Sequence, residues 1–236
     1  MDDLHFFDIH THVLPCVDDG STSVEQSLEL LTNLKNDGVT DVMFTPHFRL
    51  DMFLTPAAKD IEVFNSFTKL AKENGLNLNF YLGQELHHHS DMPSLIKQGK
   101  ALTLNKSKYI LLEFSWHVKP LSYQSIIKSY TDIGITPIVV HFERFPYFDI
   151  SDVALMRDLG ALFQVNAYSI FGVESAERAE RVKKMLSLGY VDFIASDYHK
   201  NKKILLKDAY NFVSQEYGTD LADKLLYTNA KKLFGN

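Results

Sequence analysis

Short apolar runs in this chain end, one after another, in a histidine or an acid. Tyr109–Leu112 closes on Glu113, and Ile138–Val140 closes on His141. Phe6–Ile9 leads into His10 and His12, and Phe193–Ala195 leads through Ser196 into Asp197 and His199. Glu85 follows Tyr81-Leu82-Gly83-Gln84, His47 stands shortly after the run ending at Phe44, and Asn166 closes Leu162–Val165. Charged side chains are rarely buried without a partner, so this recurrence asks for one shared place that receives them all. An open doubly wound sheet gathers ligands mainly at one crevice. A barrel brings the C-terminal end of every strand to one rim. The fold expected is therefore α/β, a seven-stranded (βα)7 TIM-like barrel.

The intervening segments fit that scheme. Phe6–His10 is the first predicted strand. Val24–Asp37 follows as a helix, with Ser23 and Gln26 spaced for a capping box and Gly38 as its stop. Asp41–Thr45 is the second strand, and Thr55-Pro56 supplies an N-cap and N1 pair for a helix running to Asn74. Asn79–Leu82, Tyr109–Phe114, Thr136–His141, Leu162–Asn166 and Phe193–Ser196 complete the strands. Helices are expected over Leu121–Ile133, in a short stretch ending near Leu159, and over Ser175–Leu188, Leu205–Tyr217 and Leu221–Phe234.

Composition narrows the class. With 236 residues, 45% of them apolar, the chain has ordinary globular composition and buries roughly three-quarters of its unfolded surface. No Pro/Gly/Ser linker interrupts it, so residues 1–236 are read as one domain. Cys16 is the only cysteine, which excludes an intramolecular disulfide and fits a reducing compartment. The first residues carry no basic, then apolar leader, and no stretch approaches ~18 apolar residues. A cytoplasmic protein without membrane insertion is expected. A formal net charge of −6 and the lack of a basic stripe argue against nucleic acid. They do not argue against a phosphorylated substrate, because bound cations reverse the sign locally.

The segment Asp8-Ile9-His10-Thr11-His12 carries the strongest local signal. Alternate residues of an extended segment point the same way, so His10 and His12 face one ion, with Asp8 on their side. Neutral imidazole is the commonest protein metal ligand. Asp197 and His199 repeat the spacing as D-x-H. Singly, each group is as readily a cap or an ion-pair partner; only the joint recurrence favours metal. Imidazoles and carboxylates without a thiolate favour Mn, Fe or Zn. The ligands are too many for one ion: Asp19, His47 and His199 suit another, and Glu85 can bridge two. Metals about 3.5–4 Å apart are typical of hydrolytic sites that clamp a phosphoryl group.

Cys16 offers a rival nucleophile. A thiol phosphatase needs C-x5-R, so that an arginine and the loop's backbone donors cradle the phosphate while the thiolate attacks. Six residues after Cys16 stands Thr22, so the cysteine is read as a loop-packing residue.

The segments "DIHTHVLPCVDDG", "GVTDVMFTPHF", "YLGQEL", "ILLEFSW", "GITPIVVHFERF" and "FIASDYHKN" resemble, in order and over nearly the whole chain, the PHP (polymerase and histidinol phosphatase) superfamily. More narrowly they resemble its bacterial capsule-operon branch, the manganese-dependent protein-tyrosine phosphatases. The resemblance implies a distorted seven-stranded barrel of the PHP type with three metals, Mn2+ being expected and Fe, Zn or Mg being other occupants. It implies that His10, His12, Glu85 and Asp197 hold one ion. Glu85, Glu113 and His141 would hold a second, and Asp19, His47 and His199 a third. It implies Arg144, His141 and Asp197 at the reaction centre, with Arg144 and His47 beside the substrate phosphate; Lys202 is expected there on this chain's own account. The implied reaction is hydrolysis of phosphotyrosine on a polysaccharide-assembly tyrosine kinase by metal-bound hydroxide, without a covalent intermediate.

The chain departs from the family twice. Relatives often carry an arginine shortly after the D-x-H histidine, whereas here "HKNKKILLKDAY" has none. Lys202 or Lys203 stands in as a point charge, without the bidentate fork. His87-His88-His89 stands where relatives show aromatics and reads as a wet loop. Trp116, Phe48 and Phe53 are candidates to stack on a phenyl ring. Alternatives are a small-molecule phosphatase of the histidinol-phosphate type, a phosphodiesterase on the same metals, and a non-catalytic metal-binding subunit. The last predicts damaged ligands, and none is missing.

Overall fold

A computed structural model describes residues 4–235. The chain runs β1 (Phe6–Thr11), α1 (Val24–Asn36), β2 (Val39–Phe44), β3 (His47–Phe48), α2 (Ala57–Glu73), β4 (Asn79–Leu82), β5 (Glu85–His87), α3 (Met92–Lys97) and β6 (Tyr109–Glu113). It continues through α4 (Tyr123–Thr131), β7 (Thr136–Val139), α5 (Ile150–Asp158), β8 (Leu162–Asn166), α6 (Ala176–Ser187), β9 (Phe193–Ala195), α7 (Leu206–Tyr217), α8 (Thr219–Asp223) and α9 (Asn229–Phe234). Every strand pairing is parallel. Pairing order is β1-β2-β4 in one sheet and β3-β5-β6-β7-β8-β9 in the other.

The two sheets are continuous through a double break. The Gly83 amide donates to the Phe44 carbonyl at 2.9 Å, and the Glu85 amide donates to Pro46 at 3.0 Å. β2 thus resumes as β3 across Thr45-Pro46, and β4 resumes as β5 across Gly83-Gln84. Pro46 has no amide proton for a ladder, which accounts for one interruption. Gly83 accounts for the other: a Cβ there would lie 2.6 Å from the Leu104 side chain. At the opposite edge Thr11 bridges to Tyr198, and the His12 amide donates to the Tyr198 carbonyl at 3.0 Å. The Asp8 carboxylate accepts there from the Ser196 amide at 3.1 Å and from its hydroxyl. The result is a curled parallel sheet, a half-barrel with helices outside.

Each face of the curl has its own apolar set. Val42, Phe44, Ile110, Leu112, Val139, Phe163, Val165 and Ile194 pack outward with the helices. Phe7, Ile9, Met43, Leu111, Ile138, Phe193 and Ala195 form a second cluster within, completed by Phe234 of α9. Strands buried on both faces are what a parallel sheet requires.

Helix ends largely follow the residues expected. The Ser23 hydroxyl accepts from the Gln26 amide at 3.2 Å and caps α1. The reciprocal half differs, because Gln26 Oε1 accepts from the Thr22 amide at 2.8 Å, one residue short of a full box. Thr55 is not the cap of α2: its hydroxyl donates to the Val17 carbonyl at 3.1 Å, and Pro56 occupies the N-cap position. The predicted terminal helix over Leu221–Phe234 is α8 and α9 joined by a π-turn at Lys224–Thr228. His87 closes a strand, and α3 begins soon after His89, so the histidine run is not wholly loop. Among the described residues, no helix is long and apolar enough to cross a membrane.

Candidate metal centre

The site begins with an irregularity in β1. Asp8 pairs with Val42 and Thr11 with Phe44, so three steps of β1 oppose two of β2. Such a bulge re-aims side chains. Ile9 belongs to the inner apolar cluster, yet His10 and His12 meet just beyond it, their Nε2 atoms 3.2 Å apart. Asp8 is correspondingly turned away to Ser196, contrary to the expectation that it lies beside the two imidazoles. Its burial raises its carboxyl to about 6, against the lowering pull of the Ser196 hydrogen bonds.

The loop after β1 closes tightly over the site. A Cβ on Gly20 would lie 1.9 Å from the His12 carbonyl oxygen, so only glycine lets the chain pass. Asp18, which sequence reasoning passed over in favour of its neighbour, is the anchor of this loop. Its Oδ2 receives His12 Nδ1 at 2.7 Å and the His47 amide at 3.0 Å. That leaves His12 Nε2 for the cluster. Asp19 points outward to His47 Nε2 at 3.6 Å and His199 Nε2 at 3.4 Å. Cys16 is exposed, with its thiol donating to the Thr22 carbonyl at 3.1 Å, and takes no part in the site.

Glu85 lies at the centre. Its Oε2 is 3.3 Å from both His10 and His12 Nε2 and 2.8 Å from His47 Nδ1. Its Oε1 is 2.9 Å from His141 Nε2, which is 3.8 Å from Glu113 Oε1. Asp197 Oδ1 sits 3.7 Å from His10, 3.6 Å from His12 and 3.4 Å from His199 Nδ1. Among the described residues, three donor groups have ligand atoms within 4.8 Å of one another: His12, Asp19, His47 and His199; His10, His12 and Glu85; and His47, Glu85 and Glu113. The predicted ligands converge, but His141 and Asp197 fall in none of these groups, which divide the others differently from the division the resemblance implies. His12, His47 and Glu85 each belong to two.

Supporting contacts come from Gln164 and Tyr168, which sequence reasoning did not name, and from Asn166, Arg144 and Lys202, which it did. Gln164 Oε1 lies 3.1 Å from His10 Nδ1 and accepts the His141 amide at the same distance. Asp197 Oδ2 accepts from Asn166 Nδ2 at 3.0 Å, the Tyr168 hydroxyl at 3.3 Å, Arg144 at 3.2 Å and Lys202 at 2.6 Å. Lys202 thus sits on Asp197 at the pocket wall. The backbone pays for this convergence: His141 (φ 35°) and Asp197 (φ 50°) both occupy the left-handed region, unusual outside glycine.

The electrostatics ask for cations. Glu113 Oε2 and His141 Nδ1 are buried without a hydrogen-bond partner, and Glu85 Oε2, though 2.8 Å from His47 Nδ1, makes no well-directed hydrogen bond. Burial would raise Glu85, but His10 and His47 hold it well below the usual carboxylate range. Burial and the Glu85 charge push Glu113 up to about 7. Two buried carboxylates this close do not both ionise without positive charge between them. Burial lowers His141 to about 4, which keeps it neutral, as a ligand must be. The donor set and its unpaired oxygens therefore fit a polynuclear cation site. A cavity of about 590 Å³ opens above it, walled by Arg49, Phe53, Trp116, Arg144, Lys200 and Lys202.

A half-barrel of parallel strands bearing such a cluster at its C-terminal rim has the make-up of a metal-dependent enzyme. The family model for capsular polysaccharide synthesis, CpsB/CapC, matches residues 6–235, and the chain belongs to that family. It is 31% identical to tyrosine-protein phosphatase CpsB of Streptococcus pneumoniae, over 96% of this chain and 97% of that one. It is 25% identical to tyrosine-protein phosphatase YwqE of Bacillus subtilis, over 97% of this chain and 91% of that one. A solved structure from work on these two metal-dependent tyrosine phosphatases superposes with a TM-score of 0.91. The identity is 25%, and 98% of this chain and 94% of that chain are covered.

Proposed function

We propose that this chain is a metal-dependent protein-tyrosine phosphatase acting on phosphotyrosine of a polysaccharide-assembly kinase in the cytoplasm. The observation that carries the reading is the buried pair Glu85 and Glu113 set among imidazoles, with Glu113 Oε2 left without a hydrogen-bond partner. The family's named activity supplies the substrate class. In this reading residues 1–236 act as one domain. The split strands β2–β3 and β4–β5 each count once, giving a distorted (βα)7 barrel closed at the β1–β9 bridge.

The ions proposed are Mn2+, three in number, held by His10, His12, Asp19, His47, Glu85, Glu113, His141, Asp197 and His199. When bound, such ions generate a nucleophile from water at neutral pH and neutralise phosphoryl charge. The chain's own residues do the rest. Asp18 and Gln164 fix the orientations of His12 and His10, as partners behind a ligand do. Arg144 is half-buried, and its Nε makes no hydrogen bond, the Glu174 carboxylate lying 3.9 Å away. A charged donor with spare hydrogen-bonding capacity beside a cavity suits a phosphate oxygen. Lys202 shares Asp197 Oδ2 with Arg144 and adds a point charge on the same wall. His47 stacks on Phe53, with centroids 5.4 Å apart, which brings a phenyl-sized apolar surface beside the cluster.

The test is hydrolysis of a phosphotyrosine peptide by protein dialysed against chelator, then resupplied with Mn2+, alongside His141→Ala. Activity should vanish on dialysis, return with Mn2+, and stay absent in the variant. Full activity without bound metal refutes the proposal. Faster turnover of histidinol phosphate than of the peptide moves the substrate class and leaves the metal reading standing.

A further inference from the structure

Trp116 is the chain's only tryptophan. It lies in the irregular segment between β6 and α4, whose Ser115 carbonyl accepts from the Tyr147 hydroxyl. Its indole N–H donates to Glu113 Oε1 at 2.9 Å. Its ring carries the Arg144 guanidinium on one face, with Cζ 3.7 Å from a ring centroid. One side chain therefore touches both the candidate metal carboxylate Glu113 and the candidate phosphate arginine. Glu113 keeps Oε2 unpaired, and Arg144 keeps Nε unpaired. Each group is held by one side and left open on the other.

We propose that Trp116 is a positioning residue that sets Glu113 and Arg144 relative to one another, so that anion binding at Arg144 registers at the indole. This rests on the reading that Arg144 receives the substrate phosphate. Two separable contacts carry it. The stack holds a planar cation whose other charged neighbours, Asp197 and Glu174, would otherwise set its place. The N–H occupies one carboxylate oxygen and so selects which oxygen Glu113 presents.

The experiment uses the Mn2+-loaded protein and inorganic phosphate as probe. Wild-type tryptophan emission should change saturably with phosphate, and Arg144→Ala should abolish that change while retaining metal. Trp116 is exposed, so calorimetry should find phosphate binding weakened about two- to fivefold in Trp116→Ala, the scale of a cation–π contact at an exposed ring. Trp116→Phe keeps an aromatic face and should restore most of that affinity. It cannot donate to Glu113, so both variants should lose metal to a competing chelator about ten times more readily than wild type. Wild-type phosphate affinity and metal retention in Trp116→Ala, with Arg144→Ala weakened, overturn the inference and leave the Arg144 reading intact. Unchanged phosphate affinity in Arg144→Ala overturns both. Failure of Trp116→Phe to restore binding overturns the stacking half.

Discussion

Inside the curl two regions follow one another along the same strands and are built in opposite ways. Phe7, Ile9, Met43, Leu111, Ile138, Phe193 and Ala195 come first, closed from below by Phe234. Their contacts are apolar and mutual: Phe234 meets Phe7, Tyr109 and Phe193 with ring centroids 5.6–6.2 Å apart. One to three residues further on come His10, Glu113, His141 and Asp197, with buried unpaired atoms at Glu113 and His141 and two left-handed backbones. The floor holds itself together, whereas the rim is held in place by the floor and waits on charge from outside. Stability and chemistry are thus separated by a few ångströms along each strand.

The comparison breaks if damage at the rim unfolds the protein or damage at the floor spares it. Glu85→Ala should lower kcat/KM by at least about a thousandfold, with little change in the thermal midpoint measured in chelator. Phe234→Ala should cost about 3–5 kcal/mol in denaturant unfolding and leave kcat/KM in the cold close to wild type. A midpoint that falls equally in both would erase the distinction. Gln164→Leu and Asp18→Asn probe the boundary. Each should weaken metal retention about 10- to 100-fold, read by competition with a chelator, without the stability loss of the floor variant.

The smallest effect concerns pH. Asp60 on α2 accepts from Gln84 at 2.7 Å, just before Glu85, and burial raises its carboxyl to about 7. An acid raised from an unfolded value of 3.8 favours folding below that value, and the advantage is lost as pH rises through 7. Asp60→Asn should therefore flatten the fall in thermal midpoint between pH 4 and pH 8, by about 2–4 °C. An unchanged pH profile would place the proton elsewhere.

Much of this was legible in the sequence because the signals are local. An apolar run ending in a charged residue marks both a strand and its rim, so β6, β8 and the convergence on Glu85 follow from reading forward. The supporting partners leave no such trace. Gln164 meets His10 across 154 positions, and nothing near Gln164 distinguishes it from any other strand glutamine. Asp18 and Asp19 are chemically identical neighbours, and only the tight passage at Gly20 decides which turns inward. Asp8 was misplaced because strict alternation does not survive a bulge. The expected strands stop at Thr45 and Leu82; the resumptions at His47–Phe48 and Glu85–His87 are too short to show a period of their own.

The seam between β1 and β9 has a further consequence. Asp8 and Ser196 meet across 188 positions, with His10 and His12 on one side and Asp197 and His199 on the other. No segment that stops short of Asp197 contains both sides. Synthesis that has delivered β1 has delivered half a binding site, and the chain must grow by 188 positions beyond Asp8 before the seam can close. The full set of donors therefore exists only once β9 and the residues after it are in place, so cation capture reads out whether that stretch has been made and closed.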